Sequence, residues 1–169
     1  SNIQGLPTWY EVRISEAGHL GARGGTDLMI AMNPQTWDKD LQEIEPGGYL
    51  LYDSTRPMPD DRFREDIHVI GIPLTQIAAA KFSDAKERQL LKNIMYVGAL
   101  AAMLGIDPEV IAQLLGEQYK GKDKLIKPNL EAFETGRQYA DEHLAGTLGL
   151  KVERRNDHLS PGRGGQGRA

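Results

Sequence analysis

Apolar positions fall into short uninterrupted runs in the first half of the chain and into helical stripes in the second. The clearest run, Leu28 to Met32, is entered from Arg23-Gly24-Gly25-Thr26 and stopped by Asn33-Pro34. A run of that length between a glycine pair and a proline predicts a buried strand rather than a helix. Gln35 to Ile44 follows, with Trp37, Leu41 and Ile44 at the i, i+4, i+7 spacing of a core-facing helix. After Pro46-Gly47-Gly48 a second run, Tyr49 to Tyr52, ends at Asp53-Ser54-Thr55. Strand, helix and strand in this order predict a βαβ unit with parallel strands. Ligands of such sheets sit beyond the carboxyl ends of the strands. Asn33, Asp53, Ser54 and Thr55 are expected at those ends and are the first candidates for ligand contact.

On either side of this unit the pattern predicts the following. Tyr10-Glu11-Val12-Arg13-Ile14 alternates like a strand, with Glu11 and Arg13 on its polar face. Glu16 to Gly25 reads as a loop with two readings open. It is a flexible surface connection, or it is an anion site in which Arg23 and the Gly24 and Gly25 amides meet a phosphate or carboxylate. Arg56 to Glu65 reads as an exposed connection, and Ile67 to Ile72 as a third strand closed by Pro73. His68, inside that strand without an acidic or histidine neighbour, reads as structural.

The second half is helical. Leu74 to Phe82 is followed by Asp84 to Leu104, with Ser83 as expected N-cap and Leu90, Leu91, Ile94, Val97, Leu100, Ala101 and Leu104 as its core stripe. Gly98, Ala99, Ala101 and Ala102 make one side thin enough for close packing, while Lys92 and Asn93 read as a solvated flank. Asp107-Pro108 is a strong helix start, and the helix to Gln118 is expected to bury Val110, Ile111, Leu114 and Leu115. A basic turn at Gly121-Lys122-Asp123-Lys124 leads to a last helix over Pro128 to Leu144. The expected fold is α/β: a Rossmann-like three-layer module with a mostly parallel central sheet and a helical C-terminal half, over residues 3–150. Residues 151–169 read as a polar, Gly/Arg-rich tail.

Composition narrows the function. One domain is the default for 169 residues, and a net charge of −4 disfavours nucleic-acid and anionic-membrane binding. No apolar run reaches the roughly 18 residues of a membrane span. With no cysteine, thiolate catalysis, disulfides and cysteine-ligated iron–sulfur or zinc sites on this chain are excluded. Cysteine usage and the absence of a secretory signal suit a cytoplasmic protein. No catalytic residue and no metal ligand set can be named, since four scattered histidines support neither a triad nor a metal cluster. Gly162 to Gly167 matches G-x-G-x-x-G, but a dinucleotide loop needs a strand before it and a helix after it.

The motifs taken in order carry a resemblance. Gly5-Leu6-Pro7-Thr8-Trp9-Tyr10-Glu11-Val12-Arg13 is followed by Gly21-Ala22-Arg23-Gly24-Gly25 and Asp27-Leu28-Met29-Ile30-Ala31-Met32-Asn33-Pro34. Then come Pro46-Gly47-Gly48, Tyr52-Asp53-Ser54, Lys92-Asn93-Ile94-Met95-Tyr96-Val97-Gly98-Ala99-Leu100 and Lys120-Gly121-Lys122. This series resembles the γ module of 2-oxoacid:ferredoxin (acceptor) oxidoreductases of the pyruvate, 2-oxoglutarate and indolepyruvate type, over most of the chain. Members usually begin with a further strand, a G-x-G-G-x-G turn and a helix. That first βα unit is expected to be missing here, while Gly162-Arg163-Gly164-Gly165-Gln166-Gly167 looks like its turn at the opposite end of the chain.

The resemblance implies one domain of an enzyme that oxidatively decarboxylates a 2-oxoacid to an acyl-coenzyme A, the isolated chain being inactive. It implies that thiamine diphosphate and iron–sulfur clusters belong to partner domains or subunits, and that ferredoxin is an indirect partner. By the same resemblance no cofactor is held firmly here, but the module helps enclose coenzyme A, with Arg13, Arg23, Gly24, Gly25 and Asn33 as ligand or interface candidates. Two other readings stay open: a stand-alone nucleotide- or CoA-binding α/β module with a regulatory or scaffolding role, and a fragment that forms homo-oligomers through faces meant for other domains.

Overall fold

The computed structural model describes residues 3–18, 28–31, 34–56 and 58–144. Four strands, β1 (Ile3–Gln4), β2 (Leu28–Ala31), β3 (Tyr49–Asp53) and β4 (His68–Ile72), form one sheet in the order β1-β2-β3-β4. Every pairing is parallel. The helices are α1 (Thr8–Gly18), α2 (Trp37–Glu43), α3 (Leu74–Lys81), α4 (Ala85–Met103), α5 (Pro108–Gln118) and α6 (Asp123–His143). Arg23, Gly24, Gly25, Asn33 and the 151–169 tail lie outside the described residues.

All four residues of β2 are buried, as a strand covered on both faces requires. Its register against β3 matches like with like: Leu28 opposite Tyr49 and Ile30 opposite Leu51 on one face, Met29 opposite Leu50 on the other. The first face carries the larger core, where Ile70 and Ile72 of β4 join Ile14 of α1 and the apolar stripes of α3 to α6. On the second face α2 lays Trp37 and Leu41, and the following Ile44, against Met29, Ala31 and Leu50. Helix, sheet and helix make the three layers that the pattern predicts, and the helices of the second half do cluster on one side.

Four expectations are corrected. Thr8–Gly18 is a helix where alternation predicts a strand. A strand would turn Val12 the same way as Tyr10 and Ile14, yet Val12 is 44% exposed and Ile14 only 2%. Tyr10 and Ile14, four residues apart, share a helical face instead, and the Pro7 carbonyl opens the helix by accepting from Tyr10 N and Glu11 N. In α4 the N-cap is Asp84, whose carboxylate accepts from Glu87 N, rather than Ser83. Leu90 stands 70% exposed and Val110 38% exposed, so neither belongs to the core. The last helix begins at Asp123 and contains Pro128, because the turn after α5 is complete at Lys122, whose N–H reaches Tyr119 O.

The thin side of α4 meets α6 with backbone against backbone. A Cβ added to Gly98 would lie 2.0 Å from the Phe133 carbonyl oxygen, and one added to Gly136 would lie 2.0 Å from that of Met95. The two glycines therefore face each other's helices at the crossing. This contact anchors α4, and α4 in turn carries Lys92 and Tyr96 to the end of the sheet.

Candidate functional site

The sheet's carboxyl end is organised by Asp53, the last residue of β3. Its Oδ1 accepts from Thr55 N at 3.1 Å and Thr55 Oγ1 at 2.7 Å. Oδ2 accepts from Thr75 Oγ1 and, at 3.2 Å, from Thr75 N. Lys92 of α4 places Nζ 3.1 Å from the same oxygen. Thr55 Oγ1 in turn accepts from Gln76 N at 3.0 Å.

Local sequence explains the arrangement. α3 begins after Pro73, which offers no side-chain cap, so the first N–H groups of the helix need outside acceptors. Asp53 and Thr55 supply them from the neighbouring strand end. A carboxylate there also meets the positive end of the helix dipole. Burial opposes the charge of Asp53, but hydrogen bonds from Thr75, Thr55 and Lys92 outweigh it and hold the carboxyl down to about 2.

Tyr96 lies one helical turn beyond Lys92. Its side chain is 1% exposed and its hydroxyl has no hydrogen-bond partner among the described residues. Burial, and then the nearby charge of Asp53, raise its pKa. A half-buried phenol pair joins α1 to the residue that follows α5: burial, and then its hydrogen bond with Tyr119, raise the pKa of Tyr10.

Asp53, Ser54 and Thr55 thus stand together at the strand end, as the βαβ reading predicts. The carboxylate of Asp53 and the hydroxyl of Thr55 face inward to α3, whereas Ser54 hydrogen-bonds through its backbone N–H to Ile72 O. Arg13 is elsewhere: it lies on α1, half-exposed, and pairs with Glu16 at 2.9 Å. Lys92, expected on a solvated flank, is 16% exposed and ion-paired. Sequence reasoning passed over Thr75 and Tyr96. The available signal was a helix start with a proline in the N-cap place and a threonine just after it, facing an acidic strand end.

The fold and this strand-end cluster define a parallel α/β module in which the first N–H groups of one helix are met by side chains of the neighbouring strand end. Residues 1–139 match the pyruvate ferredoxin/flavodoxin oxidoreductase family, and the chain belongs to it. It is 28% identical over 124 residues to the ketoisovalerate oxidoreductase subunit VorA of Methanothermobacter thermautotrophicus, covering 72% of this chain and 24% of that one. The chain therefore spans about a quarter of that relative's length. Two solved structures share the fold. The γ subunit of the keto/oxoacid ferredoxin oxidoreductase of Geobacter sulfurreducens superposes with a TM-score of 0.58 at 20% identity, covering 79% of this chain and 90% of that one. The 2-oxoglutarate:ferredoxin oxidoreductase of Magnetococcus marinus, determined with 2-oxoglutarate, coenzyme A and succinyl-CoA bound, superposes with a TM-score of 0.57 at 24% identity over 72% of this chain and 21% of that one.

Proposed function

We propose that this chain is the γ-type layer of a thiamine diphosphate-dependent 2-oxoacid:ferredoxin oxidoreductase, an assembly that converts a 2-oxoacid to its acyl-coenzyme A in the cytoplasm. The observation that carries the reading is the family match over residues 1–139, joined to 90% coverage of a separate γ subunit of the same fold. In this reading the chain performs no bond chemistry of its own. Without cysteine it offers no thiolate donor for an iron–sulfur cluster, so the clusters would belong to partner domains or subunits. The thiamine-binding partner domains would supply the decarboxylation.

Coenzyme A is the ligand this layer would help enclose. The α3 N-terminus is a poor phosphate site, because Asp53 and Thr55 already take the Thr75 and Gln76 amides. The anionic parts of the cofactor would instead meet Arg23 with the Gly24 and Gly25 amides, with Arg13 and Asn33 as further contacts. Ser54 would present its hydroxyl at the strand end, while Asp53 and Thr55 hold that end in shape.

Reconstitution tests the proposal. The chain is mixed with the thiamine-binding subunits of its own enzyme, and 2-oxoacid-dependent reduction of ferredoxin is followed with and without coenzyme A. A stable complex whose CoA-dependent turnover needs this chain is the expected result. Failure to form any complex sinks the reading. Thermal stabilisation by coenzyme A without partners, abolished by Arg23→Ala, would favour a stand-alone binding module instead.

A further inference from the structure

Among the described residues β4 ends the sheet on one side and pairs with β3 along one edge only. His68 N–H donates to Gly48 O and Ser54 N–H donates to Ile72 O, so His68, Ile70 and Ile72 turn their backbone groups toward β3. By alternation Val69 and Gly71 turn theirs outward. Neither makes a backbone hydrogen bond beyond the sheet among the described residues. Natural sheet edges usually carry a charge, a proline or a bulge that discourages further pairing. Ile67 to Ile72, between Asp66 and Pro73, contains no Lys, Arg, Asp, Glu or Pro.

We propose that β4 pairs edge to edge with β4 of a second copy of this chain, antiparallel, about a two-fold axis at Ile70. In that register Val69 exchanges both backbone bonds with Gly71 of the second copy, and Gly71 does the same with its Val69. The strand is self-complementary here, since a branched side chain faces a residue that has none. Val69 and Gly71 share the face on which Tyr52, Phe63, Arg64, Glu65 and Ile67 border an open depression, and the incoming valine leans into it rather than over Gly71, where Ser54 and Tyr52 already lie. Ile70 meets Ile70 on the opposite face, where it is already buried. A parallel pairing would set the two Arg64-Glu65-Asp66 segments side by side, like charge beside like charge, and it cannot close by a two-fold. The dimer is independent of the γ-layer reading: a chain that stays monomeric could still bind its partner subunits.

The test measures the mass of the full chain by light scattering across a wide concentration range, with hydrogen exchange at the Val69 and Gly71 amides. The mass is expected to rise to twice that of the monomer, with protection of both amides rising in step. Val69→Pro removes only an outward N–H and keeps every bond to β3, so it is expected to restore the monomer. Should the proline prevent folding, Val69→Lys, which puts a charge on the pairing edge, is expected to do the same. A wild-type chain that stays monomeric throughout overturns the proposal. So does amide protection independent of concentration, which would mean the chain covers its own edge, and so does a dimer that survives a folded Val69 variant.

Discussion

The two faces of the sheet are covered in different ways. On the larger face, layers of helix stack until backbones touch, and the Gly98–Gly136 crossing leaves no room for even a methyl group. On the smaller face, among the described residues, one helix of seven residues and the 58–67 segment do the covering, and Trp37 does most of the filling. Trp37 is 2% exposed, stands edge-on to Tyr52 and Phe63, and donates Nε1–H to Arg62 O at 3.0 Å. Arg64 finishes that cover by donating to the carbonyls of Leu41 and Ile44 at the end of α2. A thick helical layer spreads its stability over many small contacts. A thin one concentrates it in a few large ones, and leaves a depression beside β4.

That contrast can be broken by mutation. Trp37→Ala should have the largest effect, about 3–5 kcal/mol lost in chemical denaturation, because no second helical layer backs α2 among the described residues to collapse into the space. Gly98→Ala should cost about 2–3 kcal/mol, since α4 and α6 must separate to admit a methyl group. If Gly98→Ala proved the costlier of the two, the idea that the smaller core depends on one wedge would be wrong.

Asp53 sharpens the comparison, because it ties the sheet to the helical layer by charge rather than by packing. Its carboxyl is held at about 2 in the folded state against 3.8 when unperturbed. A group with a depressed folded pKa stabilises fully above its unfolded value and loses that contribution as pH falls through the folded one. About 2 kcal/mol should therefore disappear between about pH 4 and pH 2. Asp53→Asn should lose a similar amount at neutral pH and flatten that part of the acid profile. An unchanged profile would mean that another carboxylate governs acid unfolding.

The smallest effect is a gain. Tyr96→Phe removes a buried hydroxyl that has no partner among the described residues, and should stabilise by about 1 kcal/mol. A clear loss of melting temperature instead would show that the hydroxyl has a bound water or ligand as partner.

The strand-end site was half legible in the sequence. Asp53, Ser54 and Thr55 follow an apolar run that ends in polar residues, and the βαβ rule places them at the sheet's carboxyl end. Lys92 was not legible as their partner. A lysine within a helical stripe reads as solvated unless one knows which turn of which helix passes over the strand end, and here the α4–α6 crossing decides that. The Tyr10–Ile14 segment misled for a related reason: five residues of alternation fit a strand and a helix almost equally. Burial of Ile14 with exposure of Val12 settles it in favour of the helix.

The sequence by itself determined the β2–α2–β3 unit with its parallel strands and the third strand that became β4, whereas β1 and the order of the sheet emerged only in the fold. Buried runs bounded by glycine and proline permit little else, and the Asp107-Pro108 cap and the small-residue side of α4 are local chemistry. Tertiary structure alone decided what the polar residues do. Asp53 became an internal cap for α3 because Pro73 leaves that helix without one, and because packing brings Thr75 and Lys92 within hydrogen-bond reach of it. A hydrogen bond depends on positions to within fractions of an ångström, and residues 22 and 39 apart in the chain acquire such positions only when the layers close.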